Sequence, residues 1–166
     1  GNPPPAYPPR HRQDGIRLYP CATRLAEQPL LAGLKHLNRL EQVLARAEWQ
    51  DPAYAEGLMC DRSGRVIEGV FSNLFLVKDG ELLTPALERC GVAGVMRAEI
   101  LARATAAGIP WRIADLDYPE LLAADEVLLC NSQYGIWPVV ALEGRVWPVG
   151  QLTRKLQHLL ADLVDG

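Results

Sequence analysis

The sequence predicts a mixed α/β (α+β) domain. Three observations predict it. Hydrophobic residues make up 49% of the 166 residues and charged residues 22%, a globular balance. Short apolar runs separated by turn residues fill the middle of the chain, which is the mark of strands. Two longer segments carry apolar residues at helical spacing. Strands mixed with helices in one chain of this length give a single mixed domain.

The elements follow in order. Residues 1–15, with Pro3, Pro4, Pro5, Pro8 and Pro9, favour extended polyproline geometry and read as a linker or mobile loop. Ile16 to Cys21 suits a short strand. Leu37, Leu40, Val43, Leu44 and Ala47 recur at helical spacing, giving an amphipathic helix that ends near Trp49, before Asp51-Pro52. A strand-rich block follows at Gly57–Cys60, Val66–Gly69, Leu74–Val77 and Leu82–Thr84, joined by Arg62-Ser63-Gly64 and Lys78-Asp79-Gly80. Gly94 to Ala107 reads as a second helix, stopped by Gly108 and Pro110. Trp111–Leu116 and Val127–Asn131 are strand-like around a short helix near Glu120. Val139–Leu142 and Arg145–Trp147 flank Glu143-Gly144 as a hairpin. Thr153 to Val164 forms the last helix, with Thr153 or Gln151 near its cap.

Composition narrows the function. A net charge of −3 argues against a nucleic-acid partner, and no apolar run approaches the ~20 residues that span a bilayer. Cys21, Cys60, Cys90 and Cys130 form no C-x-x-C pair and read as free thiols of a cytoplasmic protein. His11, His36 and His158 share no ligand spacing, so no metal site is expected. The chain starts without methionine or an apolar leader and reads as a piece of a longer protein.

Four segments hold residues able to do chemistry, each with two readings. Lys35 follows an apolar approach, Leu30 to Leu34. In an apolar cavity its ammonium form is disfavoured, giving an amine able to attack a carbonyl. Otherwise it snorkels to water. Strand alternation puts Glu68 on the face opposite Ile67. It is either a solvated strand residue or a buried carboxylate that needs a cation, with Ser72 and Asn73 placed to orient it. Gly91 to Arg97 enters a helix, where free backbone N–H groups attract anions, or is an ordinary helix start. Asn131-Ser132-Gln133 ends an apolar strand as a polar turn or as a second grip on an anion.

Taken together these segments resemble one family. Gly33-Leu34-Lys35-His36-Leu37-Asn38-Arg39-Leu40-Glu41-Gln42-Val43 is similar to the lysine motif of the aminodeoxychorismate lyase branch of the fold-type IV pyridoxal-phosphate (PLP) enzymes, relatives of the branched-chain and D-amino-acid aminotransferases. Glu68 through Ser72-Asn73-Leu74-Phe75, Gly91 to Arg97, and Asn131 to Pro138-Val139 follow in family order. The resemblance implies that Lys35 joins PLP as a Schiff base and then moves the substrate proton. It implies that Glu68 sits against the pyridine nitrogen. Backbone amides of Val95 and Met96 would hold the phosphate, with Asn131 and Ser132 beside it and Gln133 toward substrate. Asn38 and Arg39 would be structural. Residues 16–166 would be the large PLP-binding domain, with 1–15 as interdomain linker and a small N-terminal domain absent from this chain. That absent domain would bring an arginine to the phosphate and part of the substrate pocket, so the isolated piece is expected to be inactive. The implied reaction is conversion of 4-amino-4-deoxychorismate to 4-aminobenzoate and pyruvate, for folate synthesis, by a cytoplasmic homodimer. An aminotransferase of the same fold and a non-catalytic binding or assembly module are the competing readings.

Overall fold

The computed structural model describes residues 7–27 and 39–164. In chain order these are α1 (Pro9–Asp14), β1 (Ile16–Leu25), α2 (Arg39–Arg46), β2 (Tyr54–Asp61), β3 (Arg65–Gly69), β4 (Asn73–Lys78), β5 (Glu81–Pro85) and α3 (Val95–Ala106). Then come β6 (Trp111–Ala114), β7 (Leu116–Asp117), α4 (Tyr118–Leu122), β8 (Glu126–Asn131), β9 (Gly135–Leu142), β10 (Arg145–Val146), α5 (Gln151–Leu159) and α6 (Ala161–Val164). The mixed α/β class expected from the sequence is the one observed.

The strands form one sheet in the order β6-β5-β4-β8-β9-β1-β2-β3-β7, with β10 on β9. A further pairing of β3 with β4 closes six of them into a ring, β4-β8-β9-β1-β2-β3. One register pair, Glu68 with Asn73, makes that closure. Most neighbours are antiparallel; β1 runs parallel to β2 and β9, and β5 to β6.

Both faces of the central strands are covered, so their sequences read as continuous apolar runs rather than alternating ones. Along β4, Leu74 and Leu76 join a core with Leu18, Leu58, Leu129 and Trp137. Phe75 and Val77 face the other way, where Met96 and Ile100 of α3 and Leu156 of α5 cover them. A third core gathers Cys21, Ala45, Trp49, Met59 and Ile67. All four cysteines are free and buried, and burial pushes Cys21, Cys90 and Cys130 up to about 12. No helix among the described residues is long and apolar enough to cross a membrane.

Several elements differ from expectation for local reasons. Pro9 to Asp14 is a helix rather than extended chain. Proline is tolerated there because the first turn of a helix needs no N–H donor. The segment is held by rings: Tyr7 and His11 meet Trp137 edge-on. Gln157 donates to the Arg12 carbonyl. β1 runs on to Leu25, and β9 starts at Gly135 rather than Val139, through Pro138. The expected strand from Trp111 to Leu116 divides: β6 joins β5, and β7 joins β3. The last helix breaks at Leu160, and neither Thr153 nor Gln151 caps it. Instead the Glu126 carboxylate, reaching from β8, accepts from the Leu152 and Thr153 amides and the Thr153 hydroxyl. The hairpin at Glu143-Gly144 forms as expected, with φ of 44° and 80° matching the twist of its strands. The helix expected to end near Trp49 forms over α2, but Leu40, Val43 and Leu44 are 67%, 63% and 52% exposed. Its inward side carries Gln42 and Ala45, and Glu41 and Glu48 pin it to the end of β1 through the amides of Ala26, Ala22 and Thr23.

Candidate active site

The site is built at the seam of the ring. The register row Met59–Glu68–Asn73–Cys130–Ile136 crosses β2, β3, β4, β8 and β9. Two of the expected segments, Glu68 to Asn73 and the turn from Asn131, are thereby brought side by side.

Glu68 is buried, but not on the face that strict alternation assigns. Met59 and Cys60 pair with Glu68 and Val66, leaving Ile67 as an extra, bulged residue. A bulge turns neighbouring side chains to one side. A Cβ on Gly91 would lie 2.7 Å from the Ile67 side chain and 3.0 Å from Glu68 Oε1, so both point toward the same loop. Gly91 has φ of +90°, which only glycine adopts without strain, and lacking a side chain it lets the loop pack closely on Ile67, Leu87 and Glu68. The next amide, Val92 N–H, donates to Glu68 Oε1 at 2.8 Å. Among the described residues no cation pairs with Glu68. Burial pushes its carboxyl up to about 8, with the charge of Glu56 adding to the rise.

Ser72 and Asn73 do not orient Glu68 directly, as the sequence suggested. Ser72 Oγ donates to Glu56. Asn73 braces the loop that holds Glu68: its Nδ2 donates to the Val92 carbonyl and its Oδ1 accepts from the Gly94 amide. Gly94 is the N-cap of α3 and no side chain caps the helix, so the amides of its first turn present a positive end. Val95 is 79% exposed there, while Met96 points into the core. Arg97 turns inward and donates to the Pro85 carbonyl, leaving the backbone as the exposed polar feature of that turn.

At the end of β8, Asn131 Oδ1 accepts from the Gln133 and Tyr134 amides, and its Nδ2 donates to the Phe71 carbonyl. Asn131 therefore ties this turn to the β3–β4 turn and holds Ser132 outward in an exposed position. Gln133 is exposed, and its Oε1 accepts from the Tyr7 hydroxyl. Lys35 and Asn38 lie outside the described residues.

Sequence reasoning passed over one polar group. Glu56 is fully buried on β2. Its Oε1 accepts from the Gly57 and Val70 amides, its Oε2 from the Phe71 amide and Ser72 Oγ. Ser72 Oγ in turn meets the Tyr134 hydroxyl, whose ring stacks on Trp137. Burial raises Glu56 to about 7, opposed by those hydrogen bonds. A carboxylate inside the apolar run of β2 was the available signal.

The pattern of the family described as class IV amino-transferases matches residues 2–142. The chain is 44% identical to aminodeoxychorismate lyase of Vibrio harveyi over 157 residues, 92% of this chain and 58% of that protein. The crystal structure of 4-amino-4-deoxychorismate lyase from Pseudomonas aeruginosa superposes with a TM-score of 0.97 at 68% identity, covering 100% of this chain and 62% of that one. A branched-chain aminotransferase from Thermoproteus uzoniensis, solved with norvaline, gives 0.83 at 27% identity over 90% of this chain and 52% of that one. The chain thus spans about three-fifths of the length of the two lyases it matches.

Proposed function

The chain belongs to the class IV amino-transferase family, and from that premise we propose that it is the cofactor-binding part of a PLP-dependent lyase converting 4-amino-4-deoxychorismate to 4-aminobenzoate and pyruvate. The observation that carries this reading is Glu68: a buried carboxyl with no cation beside it among the described residues, held by the Val92 amide of a glycine-bearing loop and next to an uncapped helix end. A pyridinium nitrogen and a phosphate are the two groups such a cradle fits. The likeness to the two lyases supports the same substrate.

When bound, PLP supplies an electron sink for the bond-breaking step. The residues of this chain do the rest. Glu68 keeps a proton on the ring nitrogen, because a buried carboxylate and a cation stabilise one another. The Val95 and Met96 amides hold phosphate, and Ser132, held outward by Asn131, adds a hydroxyl beside it. Lys35 anchors the cofactor. Its neutral amine then takes the proton from the substrate carbon bearing the amino group. Gln133 reaches the substrate. The remainder of the full-length protein completes the pocket. That protein acts in the cytoplasm as a homodimer; the free thiols are in keeping with a reducing compartment, and the outward apolar side of α2 offers surface for a partner subunit.

The test is product analysis with the full-length protein. Pyruvate and 4-aminobenzoate should appear in equal amounts from aminodeoxychorismate, and Lys35→Ala should abolish both. Amino-group exchange with a 2-oxo acid in place of those products makes the chain an aminotransferase. Turnover that survives Lys35→Ala removes the lyase reading.

A further inference from the structure

We infer that Tyr7 is a positioning residue for Gln133: its hydroxyl takes up the amide oxygen, so that the N–H donors of that amide are turned outward to a carboxylate of the substrate. The inference deepens the lyase reading given above and rests on it.

Three sets of contacts carry it. The Tyr7 hydroxyl donates to Gln133 Oε1 at 3.1 Å, across 126 positions of the chain. An amide side chain has one acceptor atom and one donor atom. With the oxygen occupied, what the exposed Gln133 offers is Nε2. Tyr7 is itself held in place. Its ring meets Tyr134 and Trp137 edge-on, with centroids 5.6 Å and 5.0 Å away. Those two rings are buried and stacked on each other, 3.7 Å apart and 3° from parallel. Just beyond Tyr7, α1 is tied to α5: Arg154 and Gln157 donate to the Arg12 carbonyl, and Arg154 also to that of Gln13. A phenol on such a platform has a fixed direction. The main chain of Gln133 is fixed separately. The Gln133 and Tyr134 amides donate to Asn131 Oδ1, and Asn131 Nδ2 donates to the Phe71 carbonyl. Asn131 thus sets the root of the Gln133 side chain and Tyr7 sets its tip.

The chemistry of the ligand gives this arrangement a use. Pyruvate and 4-aminobenzoate are both carboxylic acids, so the compound that yields them carries carboxylates. A carboxylate accepts hydrogen bonds and does not donate them, so it is met by Nε2 and repelled by Oε1. An unpinned surface glutamine samples many rotamers and both amide orientations, and gives up that freedom when a ligand binds. A glutamine already pinned has given it up beforehand, and the same contact then binds more tightly. Such a contact holds ground state and transition state alike, so its loss is read in KM rather than in kcat.

The experiment uses the full-length, PLP-loaded protein. Tyr7→Phe keeps the ring on its platform and removes only the hydroxyl. It should raise KM for aminodeoxychorismate roughly three- to tenfold, the size of one hydrogen bond between neutral groups, with kcat within about twofold of wild type. Gln133→Ala should raise KM at least as far. Adding Tyr7→Phe to Gln133→Ala should raise it no further, because the hydroxyl then has nothing to hold. A Tyr7 that only stabilised the fold would add its cost in both backgrounds. In 15N-labelled protein without substrate, the side-chain amide resonances of Gln133, identified by their loss in Gln133→Ala, should move in Tyr7→Phe. Resonances that stay in place overturn the contact. Resonances that move while KM does not, or effects that add in the double variant, overturn the positioning role. A wild type that releases neither pyruvate nor 4-aminobenzoate fails the lyase reading itself and takes the carboxylate ligand with it, whatever the resonances do.

Discussion

Glu56 and Glu68 are both buried carboxyls in Glu-Gly pairs on neighbouring strands, yet they are built for different work. Glu56 is closed: four donors fill its two oxygens, and they come from its own strand and the β3–β4 turn. Glu68 is less filled: among the described residues its one hydrogen-bond donor is the Val92 amide. A satisfied buried carboxylate is a structural part; one held short of satisfaction is a place for a partner. The first shapes the turn that carries Phe71 and Ser72. The second waits at the end of the same turn.

This contrast can be broken in three ways, beginning with the largest effect. Glu56→Leu takes the acceptor from the Gly57 and Phe71 amides, while the Val70 amide keeps the Gly57 carbonyl and the Ser72 hydroxyl keeps Tyr134. At roughly 1–3 kcal/mol for each orphaned group, the full-length protein should lose about 2–6 kcal/mol. At roughly 2–4 °C per kcal/mol, a calorimeter should register a fall of about 4 °C or more. Glu68→Gln should leave the cofactor-free melting temperature within a few degrees of wild type, since a neutral amide is easier to bury than a charge. Its cost should fall on turnover instead, about a hundredfold in kcat, comparable to removing one preorganised electrostatic contact. A large loss of stability in Glu68→Gln, or of turnover with normal stability in Glu56→Leu, would reverse the assignment of the two.

The smallest effect is a slope against pH. Glu68, raised by burial to about 8, holds its proton in the folded protein after the unfolded chain has released it near 4.5. The folded state binds more protons in that window, so the stability of the cofactor-free protein should decline as pH rises from about 4.5 to about 8. Glu56, raised to about 7, adds to the decline over the lower part. Glu68→Gln should flatten the upper part of the curve in thermal melts taken across this range.

Much of this arrangement was legible in the residues. Turn chemistry at Glu143-Gly144 and the strand runs of β4, β5 and β8 gave elements close to those observed, because short-range sterics decide them. The capping box of α4, where Asp117 and Glu120 each satisfy the other's backbone, lies at the short helix expected there. Segments fixed by distant partners were harder to read. Prolines masked α1 and the start of β9, since proline argues against regular structure until an end turn or a bulge excuses it. The bulge at Ile67 defeated the alternation rule, which assumes an unbroken ladder. Helical spacing found α2 but not which side faces in. At the site, the motif resemblance singled out Glu68, while Glu56 went unnoticed because its role exists only across elements.

Among the six strands rolled on themselves there is no free edge to offer another chain; the edges of the sheet fall to the short β6, β7 and β10. Here the roll is buttoned at a single pair, and one half of the button is the side chain held ready for a ligand. A ligand gripped by Glu68 would thus be gripped by the strand pair that keeps the cylinder shut.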